Sequence, residues 1–166
     1  MLTVIFHRML VFRICLEKYA HNLIASGKSN RWNLSGNFVI YTSSNRALAC
    51  LENVVHRSSE GLNSLFKVMV IQIDDEVQIT EIPVESLPDN WHKKASYPLC
   101  QKIGDDWYRE GKTAVLGVPS SIIPMEKVYI INTRHPDFLN NKIQLLSTEE
   151  FVFSPRIKSE DPDIMD

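Results

Sequence analysis

The chain of 166 residues, 44% hydrophobic and 23% charged, has the size and balance of one globular domain with one core. Its formal charge of −2, with 18 Lys and Arg and no basic block, argues against a nucleic-acid-binding surface, and no uncharged apolar run is long enough to cross a bilayer. Cys15, Cys50 and Cys100 are odd in number and form no C-x-x-C pair, which excludes a disulfide framework and a zinc ribbon and suits a reducing, cytoplasmic setting.

Residues 1–16 are apolar, but His7, Arg8 and Arg13 interrupt them and no small-residue cleavage site follows, so they do not read as a signal peptide. Residues 3–5 and 9–14 read as extended segments, and Met9 is itself a candidate start, which makes 1–8 an extension. Residues 16–26 form a weakly amphipathic helix candidate that Gly27 would end, and 29–36 follow as a loop. Residues 38–42 read as a strand with Val39 and Tyr41 on one face and Phe38, Ile40 and Thr42 on the other.

Ser43 or Ser44 is placed to cap the next helix, whose apolar stripe reads as Ala47, Leu48, Leu51 and Val55. Glu52, four residues after Leu48, falls at the border of that stripe instead of on the polar face. A half-exposed glutamate paired with His56 at i+4 is the plain alternative.

After a loop at 58–63, residues 66–73 alternate as a strand, and the turn at 74–76 predicts a hairpin with 77–82. Residues 83–96 read as a surface loop pinned by Trp91, and Leu99, Ile103 and Trp107 share a helix face that Gly111 ends. A strand at 114–118 must stop or lie at an edge because of Pro119, which sets Ser120 and Ser121 at its exit. Strands at 128–132, 142–146 and 151–153 complete the chain before an acidic tail at 158–166. The whole, 1–166 with a core over about 9–156, reads as a single α+β domain with a curved, mostly antiparallel sheet and a few short helices.

Several chemistries are absent from the sequence. Six glycines supply neither G-x-G-x-x-G nor a G-x-x-x-x-G-K loop, the five histidines are dispersed without H-E-x-x-H, and no Ser stands in a G-x-S-x-G elbow. What remains is the stretch from 30 to 52, where Arg31, Tyr41 and Glu52 lie on consecutive elements. A cation, a phenol and a carboxylate are the groups that hold a phosphorylated nucleotide by its anion and stabilise a sugar cation beside it. Each has a structural alternative. Arg13 could pair with an internal carboxylate, Trp32 reads as core, Tyr41 could be a core tyrosine with a satisfied hydroxyl, and Ser120 a turn residue with Ser121 functional in its place.

The chain resembles the RES-domain family, toxins of bacterial toxin–antitoxin pairs. The resemblance runs from Met9 to Arg156 through Val11-Phe12-Arg13-Ile14, Ser26-Gly27, Arg31-Trp32-Asn33, Gly36, Val39-Ile40-Tyr41-Thr42-Ser43, Ala47-Leu48-Ala49 and Leu51-Glu52. It continues with Leu87-Pro88, Trp91, Ile103-Gly104, Trp107, Val118-Pro119-Ser120-Ser121, Ile131-Asn132, His135-Pro136, Phe153 and Pro155-Arg156. It implies an ADP-ribosyltransferase-like fold and a cytoplasmic toxin that cleaves the nicotinamide–ribose bond of NAD+ as substrate, with phosphate as co-substrate or water as acceptor and no metal. ADP-ribosyl transfer to a protein is the alternative activity, and a non-enzymatic NAD-binding module a further one. The family's arginine, glutamate and serine look like Arg31, Glu52 and Ser120. Arg31 would grip the diphosphate, Glu52 face the ribosyl cation, Arg13 and Tyr41 join in substrate binding, and Asn132 and His135 fix a local turn. The implied partner is an Xre-type helix-turn-helix antitoxin, with a toxin homodimer in the complex. Ser29-Asn30, Val128 and Ser154 depart from the family's usual glycines, asparagine and aspartate.

Overall fold

The computed structural model describes residues 8–56 and 65–152. The expected strand at 3–5, the loop at 58–63, residues 153–156 and the tail at 158–166 lie outside them. One seven-stranded sheet carries the fold, in the order β4-β5-β6-β2-β1-β3-β7, where β1 is Met9–Leu16, β2 Val39–Ser43, β3 Phe66–Ile73, β4 Ile79–Glu81, β5 Val115–Pro119, β6 Lys127–Asn132 and β7 Ile143–Glu150. Every pairing is antiparallel except β4 with β5. Among the described residues three α-helices accompany it, α1 Arg46–His56, α2 Tyr97–Glu110 and the single turn α3 Pro136–Leu139.

The sheet consists of two well-paired blocks joined by a thin seam. β1 pairs with β3 along its whole length and β2 with β6 along all five of its residues, yet β1 and β2 meet only at Phe12 and Ser43. Strand alternation sorts the core accordingly. Val11, Cys15, Ile40, Met69, Ile71, Val115 and Ile131 bury one face of both blocks. On the opposite face, α2 covers the β5-β6-β2 block through Trp107 and Cys100 against Val39, Leu116, Val118 and Ile130. α1 covers the β1-β3 block, with Ala49 against Phe12, Ile14, Val68 and Val70. Leu48, its neighbour, packs into the α2 cluster, so α1 straddles the seam.

Five local expectations are corrected. Residues 16–26 hold only a 3-10 turn at Glu17–Tyr19 followed by irregular chain; Leu23 and Ala25 pack on the core without helical backbone. α1 is capped by Asn45, whose Oδ1 accepts from Leu48 N at 2.8 Å, because Ser43 is used in β2. Its buried face is Leu48, Ala49 and Asn53 with Glu52 half-buried, whereas Leu51 and Val55 are exposed. The hairpin at 66–82 does not form: β4 crosses to the far edge and runs parallel to β5, with α2 in the connection, while Val77 turns into the core. Residues 143–150 form one strand, and 151–152 add no further one.

The ends of α2 and β5 fall where the sequence reading puts them. Gly111 ends α2 in the left-handed conformation with φ 59°, and Pro119 is the last residue of β5. A sixth correction falls on α2, whose buried residues are Cys100, Gly104, Asp105 and Trp107, whereas Leu99 faces out.

Candidate functional site

A cavity of about 190 Å³ opens at the seam. Its walls come from both blocks: Phe12, Arg13 and Ile14 from β1, Tyr41, Thr42 and Ser43 from β2, and Ala49, Glu52 and Asn53 from α1, with Asn30 at its rim. By alternation Arg13 starts on the side of Val11 and Cys15, yet it lines the cavity with Phe12 and Ile14. It therefore lies in the opening that the missing β1–β2 pairs leave. A second polar cleft of about 210 Å³ shares Arg13, Asn30 and Tyr41 and adds Ser26, Lys28 and Ser29.

Glu52 is held from behind. Ser120, fully buried, donates its hydroxyl to Glu52 Oε1 at 2.9 Å, and its Oγ accepts the backbone N–H groups of Ile122 and Ile123 at 3.1 and 3.2 Å. With two donors on its oxygen, the hydroxyl has its own proton to give, and the carboxylate is the acceptor that takes it. Ser120, and not Ser121, is thus the serine joined to Glu52.

Tyr41 is fixed at both ends. It lines both cavities, while its hydroxyl accepts from Trp32 N at 3.0 Å and donates to Asn33 Oδ1 at 2.8 Å. Burial pushes the phenol well above its ordinary range, so it stays protonated at neutral pH. Asn33, also buried, gives its amide N–H groups to the carbonyls of Lys28 and Leu34. The Arg-Trp-Asn turn is therefore built around Tyr41 and Asn33.

Arg31 is placed apart from the other four. Its guanidinium donates to the carbonyls of Trp91, His92 and Lys93 at 3.1, 2.8 and 3.4 Å and lies 4.5 Å over the ring of Tyr97. It does not line the cavity, although its neighbour Asn30 does. The structure brings Arg13, Tyr41, Glu52 and Ser120 together and sets Arg31 as a clasp on the loop before α2. Asn132 and His135 serve the turn they were assigned: Asn132 Oδ1 accepts from Arg134 N and His135 Nδ1 from Asp137 N.

Four polar cavity residues, Asn30, Thr42, Ser43 and Asn53, have no site role in the sequence reading. Asn53 carried a signal: a helix whose inner face is taken as Leu48, Ala49, Glu52 and Asn53 has the same period as the stripe chosen above.

The chain matches the RES domain over residues 10–154. It belongs to the RES-domain family. Among its relatives, the Prs ADP-ribosylating toxin of Sphingobium sp. (strain YBL2) is 36% identical over 76% of this chain and 79% of its own length. Toxin Res of Yersinia enterocolitica is 31% identical over 90% of this chain and the full length of that protein. Among solved structures, the M. tuberculosis MbcT-MbcA toxin-antitoxin complex contains a chain of the same fold, with a TM-score of 0.66 at 16% identity, covering 89% of this chain and 86% of that one. This RES-domain chain thus has the open, mostly antiparallel α+β sheet of that toxin type. Among the described residues no helix is long and apolar enough to cross a membrane.

Proposed function

We propose that this RES-family toxin consumes NAD+ by breaking the bond between nicotinamide and ribose. The observation that carries the reading is the Glu52 carboxylate on the wall of a cavity shared with Arg13 and oriented by Ser120. Cleavage of an N-ribosyl bond passes through an oxocarbenium-like state with positive charge on the ribose. A fixed carboxylate beside that charge stabilises it more than it stabilises the substrate, which is the condition for catalysis. The bonding electrons leave with the ring nitrogen, so nicotinamide departs neutral and needs no proton. Water or phosphate then bonds to the ribose carbon, and water loses its proton on doing so.

The two clefts divide the substrate. The seam cavity takes the nicotinamide–ribose end, and the cleft with Lys28, Ser26 and Ser29 takes the remainder, with Arg13 between them as the diphosphate ligand. Arg31 keeps the wall in place through the 91–93 carbonyls, and the anion-clamp role expected for it passes to Arg13. Tyr41 offers its ring face to the substrate, since its hydroxyl is spent on the turn.

Purified protein incubated with NAD+, with and without phosphate, tests this: nicotinamide should appear in both cases if water is the acceptor, and only with phosphate, together with ADP-ribose 1″-phosphate, if phosphate is. Intact NAD+ under both conditions sinks the reading. The 36% identity to a toxin named as ADP-ribosylating favours one second reading, transfer to a protein, which would label a protein band while NAD+ falls only stoichiometrically. The likeness to a toxin caught with its antitoxin supports a proteinaceous antitoxin for this chain, of the Xre type that the resemblance implies; growth arrest on expression should be relieved by such a partner.

A further inference from the structure

Asn53 lies one residue beyond Glu52 on the inner face of α1, is 8% exposed, and lines the seam cavity. Its amide is oriented: Nδ2 donates to the carbonyl of Ile14 at 3.1 Å, which fixes the NH2 half toward β1 and leaves the oxygen as the other half. That oxygen, Oδ1, is buried and has no hydrogen-bond partner among the described residues. A buried acceptor left without a donor is costly, and such groups are rare enough in folded proteins that each calls for a physical reason.

The surroundings narrow what could complete it. Phe12, Ile14, Ala49 and Val128 give the cavity its apolar walls, and Arg13, Asn30, Tyr41 and Glu52 contribute polar groups. A flat ring bearing a neutral N–H donor fits apolar walls with one acceptor among them. A sugar hydroxyl is better served by the Glu52 carboxylate, because an ionised acceptor makes the stronger hydrogen bond. Resting on the NAD+ reading above, we propose that Asn53 Oδ1 accepts the carboxamide N–H of nicotinamide and so makes Asn53 the residue that selects the leaving group.

The test compares NAD+ with its analogue in which an acetyl group replaces the carboxamide, keeping the carbonyl but removing the N–H donor. kcat/KM for each is measured on the wild-type protein and on Asn53→Leu, with Asn53→Ser as the substitute should the leucine variant fail to fold. Dividing the two preferences cancels the intrinsic difference in leaving ability. The preference for NAD+ is expected to fall roughly tenfold in the variant, since a site built to pair an N–H discriminates against its absence. An unchanged preference overturns the role of Asn53 while leaving NAD+ cleavage intact, and so does an equal loss on both dinucleotides. A wild-type protein that consumes neither overturns the NAD+ reading and this inference together.

Discussion

Ser120 gives its hydroxyl proton to Glu52 Oε1 at 2.9 Å while the backbone N–H groups of Ile122 and Ile123 hold its oxygen. The serine has no exposed surface, so its influence on a substrate passes through the carboxylate it aims. Ser120→Ala is therefore expected to lower kcat for NAD+ by roughly a hundredfold with KM little changed, the loss associated with a misplaced catalytic group. Glu52→Gln should lower kcat further, by about 10²–10³-fold, because the charge itself is gone. Steady-state kinetics on folded variants decide the matter; a Ser120→Ala protein with a raised KM and normal kcat would place the serine against the substrate instead.

The two arginines should separate by what their removal does. Arg31 holds three successive carbonyls and stacks on Tyr97, a planar fork of contacts that lysine does not reproduce. Arg31→Ala and Arg31→Lys are both expected to lower stability, by about 1 kcal/mol, as the loop carbonyls, two of them on exposed residues, lose a charged donor. Arg13→Ala should raise KM for NAD+ at least tenfold. Thermal melts beside kinetics check both; a stable Arg31→Ala protein with a raised KM would restore the anion-clamp role to Arg31.

The strands that frame the site could be read in the sequence because alternation is a local property. Val39 and Tyr41 against Ile40 is the pattern observed, and the order Arg31, Tyr41, Glu52 already lies on one loop, one strand and one helix. The helix face could not be read in the same way. Leu51 and Val55 offered a stripe of equal period, and only packing over β1 shows that polar Glu52 and Asn53 turn inward while those apolar residues face out. The seam was hidden for a stronger reason. That β1 and β2 share one pair, and that β4 leaves β3 for the opposite edge, are properties of non-local pairing which no window of sequence contains.

Tyr41 links the turn to the sheet, and its removal should show that link. Tyr41→Phe leaves Trp32 N and Asn33 Oδ1 without partners, at an expected cost of about 1–3 kcal/mol. The wild-type phenol supplies a pH signature as well. Its folded-state ionisation is raised by burial, so the stabilisation is fully present below the unfolded value of about 10 and declines as pH rises above it. Denaturant unfolding at pH 8 and above pH 10 should show a drop in stability that Tyr41→Phe abolishes in part. An identical pH dependence in the two proteins would assign the drop to other groups.

The last prediction concerns how tightly α2 sits on the Arg-Trp-Asn turn. Gly104 is buried in α2, and a methyl group built on it would lie 1.7 Å from the carbonyl oxygen of Trp32, a backbone atom that cannot swing aside. The turn is in turn fixed by Tyr41 and Asn33, and by Gln101, which donates to Asn30 O at 3.0 Å. Gly104→Ala must therefore push the helix off the turn, although alanine is the better helix former. The intrinsic gain of about 1 kcal/mol is outweighed by overpacking, which costs about 1–3 kcal/mol even where side chains can yield and more against backbone. The variant is expected to melt well below the wild type, and any protein that remains folded should show a raised KM, because Asn30 and Tyr41 on the cavity wall move with the turn. A Gly104→Ala protein that is more stable and fully active would mean that α2 and the turn are less closely packed than this geometry requires.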